Sequence, residues 1–219
     1  MKRYSIDSDA REKAVQYCVV SSLCLSLVIN WLVIPASESF FLSIGFESAV
    51  SRLASIGLFG QIAPFALFGF LWWLFDNHIW RFCPFAKLHG VPNLNGTWDG
   101  LGCSSFEGSN GDPVEYEMAL EITQTFTKMS CVSHFASSES EADMIGLIGC
   151  KDGDGRYCLE FSYGNVAGES SLKVDTWQDM HKGFNVIVCE GEHMNGRYFT
   201  NRIPATRGTF SLGKRMKEE

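Results

Sequence analysis

The chain has 219 residues, 46% of them hydrophobic and 20% charged, with a formal net charge of −7. That composition is too apolar for disorder and long enough for one or two domains. Charge is unevenly spread: residues 1–89 hold seven Lys and Arg against six Asp and Glu, whereas residues 90–219 hold eleven against nineteen. An acidic C-terminal part excludes general binding to duplex nucleic acid, which depends on many cations displacing counterions from phosphates. It leaves room for a small anion held by one or two Arg.

The first predicted element is a transmembrane helix over residues 14–34, a run of 21 uncharged and mostly apolar residues. At about 1.5 Å per residue such a helix spans about 32 Å, enough for a hydrocarbon core. A cleaved signal peptide is the rival reading, but Asp7, Asp9 and Glu12 precede the run, and Ile34, Pro35 and Ala36 make a poor cleavage site. A second charge-free run covers residues 53–75 and ends among Trp72, Trp73 and Trp80, side chains that favour the membrane interface. Lys2, Arg3, Arg11 and Lys13 precede the first span, and Arg81 and Lys87 follow the second. The segment between holds only Arg52, beside Glu38 and Glu47. Positive residues stay inside, so the expectation is a two-span hairpin with both termini cytoplasmic. Eight cysteines without a CxxC pair, two of them within the first span, agree with free thiols in a reducing compartment.

Ser22, Ser26 and Asn30 recur every four residues and are expected to line one helical face. Gly57, Gly60, Ala63 and Gly69 in the second span permit close backbone approach, either within the hairpin or between protomers. A stiff linker with Pro84 and Pro92 follows.

From residue 90 onward, short alternating runs are separated by Gly, Asn, Asp and Pro, which predicts an all-β domain. The expected strands are 95–106, 114–126, 127–136, 142–150, 156–163, 171–177, 183–190, 192–201 and 206–214. Asp152, Gly153, Asp154 and Gly155 read as a hairpin turn, and 137–141 as a solvated loop. Alternation puts Met118, Leu120, Ile122, Gln124 and Phe126 on one inner row, Tyr157, Leu159, Phe161 and Tyr163 on another, and Leu94, Gly96, Trp98 and Gly100 on a third. An antiparallel barrel of about eight strands is the expected closure, with an interior just wide enough for side chains or one small ligand. A sandwich has the same strand pattern. Polar groups on inner rows then carry information, namely Gln124, Tyr198, Thr200 and Arg202. Arg202 either lies at a barrel mouth paired with an acid or helps hold an anionic ligand.

Several motifs together, "LNGTWDGLG" at 94–102, "LEITQTFTKM" at 120–129, "SSESE" at 137–141 and "MNGRYFTNR" at 194–202, follow the two apolar runs. In that order the chain resembles the two-transmembrane, β-strand-rich effectors of bacterial cyclic-oligonucleotide antiphage signalling systems. The resemblance implies a minimal β-barrel at 90–219 on the cytosolic side of an inner-membrane anchor at 1–89. It also implies a cyclic dinucleotide ligand made by a partner nucleotidyltransferase. Ligand-driven homo-oligomerisation and disruption of the membrane would follow, ending in abortive infection. The family's Gly-x-Trp-x-Gly opening falls on Gly96, Trp98 and Gly100, its Ile-x-Gln-Thr strand on Ile122, Gln124 and Thr125, and its late strand on Gly196, Tyr198 and Arg202. With the inner rows, this makes Trp98, Gln124, Tyr163, Tyr198, Thr200 and Arg202 the candidate ligand-binding residues.

Enzymatic motifs are lacking in the sequence: there is no GxSxG elbow, no phosphate-cradling Gly-rich loop and no HExxH. No cofactor is expected. Cys189, His193 and His181 do not supply a paired zinc spacing, so no metal site is expected either. Two other function classes remain open: a tethered lipocalin-like carrier of an apolar molecule, and a ligand-free interaction scaffold.

Overall fold

Alternation of apolar and polar side chains builds the larger part of the molecule. On β4 (Pro113–Gln124), Met118, Leu120, Ile122 and Gln124 are buried, whereas Glu117, Glu121 and Thr123 face outward. The remaining long strands follow the same rule: β3 (Gly96–Glu107), β5 (Lys128–Phe135), β6 (Ser138–Gly149), β7 (Tyr157–Ala167), β8 (His181–Glu190), β9 (His193–Thr200) and β10 (Arg207–Lys214). Two short strands, β1 (Lys2–Arg3) and β2 (Ser5–Ile6), precede the helices α1 (Ala10–Val28) and α2 (Leu58–Asn77). The computed structural model describes residues 1–6, 8–29, 31, 58–82, 85, 89–107, 111–136, 138–149, 156–167 and 181–215. The expected strand 171–177 and the turn at 152–155 lie outside them.

The eight long strands pair as an antiparallel up-and-down ring in the order β5, β4, β3, β10, β9, β8, β7, β6, and β6 closes on β5. The expected barrel is therefore present, and a sandwich is excluded. The closure is thin, because β5 and β6 share only three register pairs, Val132 with Glu141, Ser133 with Ser140 and His134 with Glu139. Beyond them the two strands part. Residues 2–6 enter that seam: Lys2 and Arg3 pair with Met129 and Lys128 of β5, and Ser5 and Ile6 pair in parallel with Gly146 and Leu147 of β6. Tyr4 between them is only 2% exposed, and its hydroxyl donates to the Phe126 carbonyl at 3.0 Å.

The chain divides into two compact units, one of Met1–Ser8 with Pro92–Glu219 and one of Asp9–Val91. The barrel thus owns residues on both sides of the helical unit. A single glutamine ties its two points of connection together. Gln124 accepts from the Leu94 amide at 2.9 Å and donates to the Pro92 carbonyl at 3.1 Å and to the Tyr4 hydroxyl at 3.3 Å. Around this end the barrel is solid, filled by Trp98, Leu120, Ile122, Phe126, Met129 and Leu147 among others. The Trp98 indole donates to the Leu94 carbonyl at 3.1 Å.

In the helical unit, α1 packs on α2 through Ala14, Cys18, Ser22 and Ser26, spaced four apart, while Val15, Val19, Val20, Leu23, Leu27 and Val28 face outward. Sequence reasoning placed Ser22 and Ser26 on one face, and they share it. Their hydroxyls, however, donate back to the Val19 and Leu23 carbonyls of the same helix, both at 2.8 Å, so the stripe contributes small size rather than interhelical bonds. The expected spans 14–34 and 53–75 coincide in part with α1 and α2; of their remainders, Asn30 and residues 32–34 and 53–57 lie outside the described residues. Among the described residues, no helix is long and apolar enough to cross a membrane.

Candidate functional site

Away from the solid end, the barrel axis opens into a cavity of about 350 Å³, lined by side chains from all eight long strands and from the loop between β9 and β10. That volume lies at the small end of the range for small-molecule pockets. On β4 the cavity is reached by Val114, Tyr116 and Met118, and Gln124 sits six residues farther along. At about 3.3 Å per residue that is about 20 Å away. The barrel is accordingly a cup, plugged at one end and open at the other.

Four of the six residues expected from sequence line the cup, namely Tyr163, Tyr198, Thr200 and Arg202. Trp98 and Gln124 do not, because both belong to the plug described above. Alternation had put them on the inner face correctly but could not say at which height. Several lining residues were missed: Tyr116, Ser133, Ser138, Ser140 and Asn185. Ser138 and Ser140 fall in the stretch expected to be a loop; it is the start of β6, with Glu139 and Glu141 turned outward. Serines facing an open lumen need not be apolar, which is why this strand escaped a search for hydrophobic alternation.

Space in the cup is made by glycine. Each of four inward rings stands opposite a glycine in the ladder: Tyr116 opposite Gly102, Tyr163 opposite Gly183, Tyr198 opposite Gly208 and Phe210 opposite Gly196. A Cβ at any of these glycines would overlap the facing ring. The rings therefore lie back against the wall instead of projecting across the lumen. Tyr116 meets Tyr198 edge to face, with centroids 6.4 Å apart and planes at 72°.

Burial, reinforced by the neighbouring Tyr198, pushes the phenols of Tyr116 and Tyr163 well above the usual tyrosine range; at Tyr163 the Arg202 guanidinium opposes the shift in part. Both phenols are protonated at neutral pH and can donate. Arg202 lies exposed at the rim and, among the described residues, is the only charged one lining the cup. The rim loop that carries it is held by Thr200, whose hydroxyl lies 2.7 Å from that of Thr206 and accepts from the Thr206 amide at 3.3 Å and the Arg202 amide at 3.4 Å. The loop is further braced by Asn201, which accepts from the Lys182 amide at 2.8 Å. Among the described residues, the cup offers hydroxyl and amide groups, aromatic faces and one cation, and no carboxylate. Among the described residues, no group of three or more His, Cys, Asp or Glu could hold a metal ion.

These features define a class: small antiparallel barrels with a lumen the size of a ligand. Within that class the chain belongs to the family described as "Cap15, cyclic dinucleotide receptor domain", which it matches over residues 89–214. It is also similar to the CD-NTase-associated protein 15 of Yersinia aleksiciae, at 27% identity over 213 residues, covering 91% of this chain and 97% of that protein.

Proposed function

We propose that the cup binds a cyclic dinucleotide made by a partner nucleotidyltransferase, and that the chain is a non-enzymatic effector of antiphage defence. The observation that carries this reading is the lining itself. Rings laid against the wall offer faces on which bases stack, hydroxyls and an amide meet polar edges, and Arg202 stands at the rim where a phosphate can reach it. Membership of a cyclic dinucleotide receptor family supports the same ligand class. An apolar cargo would make little use of a lining rich in hydroxyls with an amide and a cation, and a plugged scaffold would have no cup.

The effector step is proposed to act through the helices. Their pairing buries small residues and turns valine and leucine outward, a distribution suited to lipid, and on this reading the pair anchors the chain in the inner membrane with both termini cytoplasmic. Ligand capture then gathers several protomers, and the gathered helices disrupt the bilayer.

Calorimetric titration of the full chain in lipid nanodiscs with a panel of cyclic dinucleotides tests the first part. Saturable binding by at least one member is expected, and no binding across the panel overturns it. The second part is tested by expressing the chain with and without a cyclic dinucleotide source. Loss of membrane integrity only when the source is present is expected; an intact membrane in both cultures overturns it.

A further inference from the structure

The cup has a floor, and two polar residues lie at it. On each strand the deepest lining residue is followed inward by the plug, and on β5 and β8 those deepest residues are Ser133 and Asn185. Ser133 is 3% exposed and Asn185 6%, and both side chains line the cavity. Buried polar groups are almost always paired, so polar side chains at the bottom of a cavity bear on what the cavity takes in. Asn185 stands opposite Tyr198 on one side and Phe161 on the other. Arg202 lies four residues beyond Tyr198, about 13 Å toward the opening.

We propose that Asn185 is the specificity-determining residue of the cup, reading the edge of one nucleobase that enters base first, with Ser133 as a second polar contact and the phosphates left near Arg202 at the rim. This rests on the reading of the cup as a cyclic dinucleotide site. A carboxamide presents a donor beside an acceptor and matches base edges of the same kind, those of adenine and uracil included. A carboxylate in its place presents acceptors only. It suits the adjacent donors of a guanine edge and repels the ring acceptors of adenine and uracil.

The experiment titrates the full chain and three variants, Asn185→Asp, Asn185→Ser and Ser133→Ala, with cyclic dinucleotides that differ only in their bases. Far-ultraviolet circular dichroism and thermal melting establish that each variant is folded. Asn185→Asp is expected to change the rank order of the panel, raising guanine-containing members against adenine- and uracil-containing ones. Asn185→Ser is expected to weaken the preferred ligand by about tenfold or more and to flatten the discrimination, and Ser133→Ala to weaken it without changing rank. A wild-type chain that binds, with folded Asn185 variants that keep its rank order and affinity, overturns the assignment while leaving the receptor reading intact. A wild-type chain that binds no member overturns the receptor reading itself.

Discussion

Tyr163 on β7 and Gly183 on β8 face each other across the ladder, and the phenol ring occupies the space in which a Cβ on residue 183 would stand. The glycine is thus part of the cup, although it contributes no side chain. Gly183→Ala is expected to drive the ring into the lumen, costing about 1–3 kcal/mol of stability for the overpacked contact. Ligand affinity should fall by about tenfold or more, and the double variant Gly183→Ala with Tyr163→Ala should recover part of it. Paired thermal melts and titrations measure the two effects.

The buried phenols give the barrel a characteristic alkaline behaviour. In the unfolded chain Tyr116 and Tyr163 ionise near pH 10, and in the barrel they hold their protons to higher pH. Above about pH 10 the folded state therefore binds more protons than the unfolded state, so stability is full below that pH and declines as pH rises through the folded values. Denaturation midpoints from about pH 9 to about pH 11 should show this slope, and Tyr163→Phe should make it shallower.

Gln124 and Arg202 should separate structure from binding. Removing the Gln124 side chain leaves the buried Leu94 amide and Pro92 carbonyl without their partner, and Gln124→Ala is expected to cost about 2–4 kcal/mol of stability on that account. Ligand affinity of the folded fraction should not change, because the residue lies in the plug. Arg202→Ala should do the reverse, weakening an anionic ligand by about 1.5–3 kcal/mol with little effect on melting, since the side chain is exposed at the rim. Melting curves and titrations on both variants give the comparison.

Tyr4 holds the seam shut. Tyr4→Ala is expected to cost about 3–5 kcal/mol, as for other fully buried aromatic residues, and Tyr4→Phe about 1 kcal/mol for the lost hydroxyl bonds. Hydrogen exchange should rise first around Met129 and Leu147, the residues that residues 2–6 cover. A fragment cut at residue 92 should show the same pattern, and a peptide of residues 1–8 added to it should restore protection.

How much of this was legible beforehand depended on what each side chain faces. Where the inner row meets the plug, as from Met118 to Gln124, apolar alternation gave the strand and its facing directly. Where the inner row meets the lumen, as at Ser138 and Ser140, the same period of two is written in hydroxyls and was mistaken for a loop. Height along the barrel was not legible at all, because it depends on the register of eight strands around a ring; the inner-row positions of Trp98 and Gln124 therefore did not say whether they face plug or lumen. Lys2 and Arg3 were taken for flanking charges, since two-residue pairings have no periodicity and are set entirely by the seam that receives them. The glycine apertures were visible as residues but not as partners, for the same reason of register.

The seam also imposes an order on biosynthesis. Residues 2–6 leave the ribosome before the helical unit, yet the strands that receive them carry Met129 and Leu147. For as long as it takes to translate more than a hundred residues, this five-residue segment has no home, and the helices must find their own place while it waits. A barrel whose seam closes only after the helical portion has been made cannot complete its fold ahead of that portion.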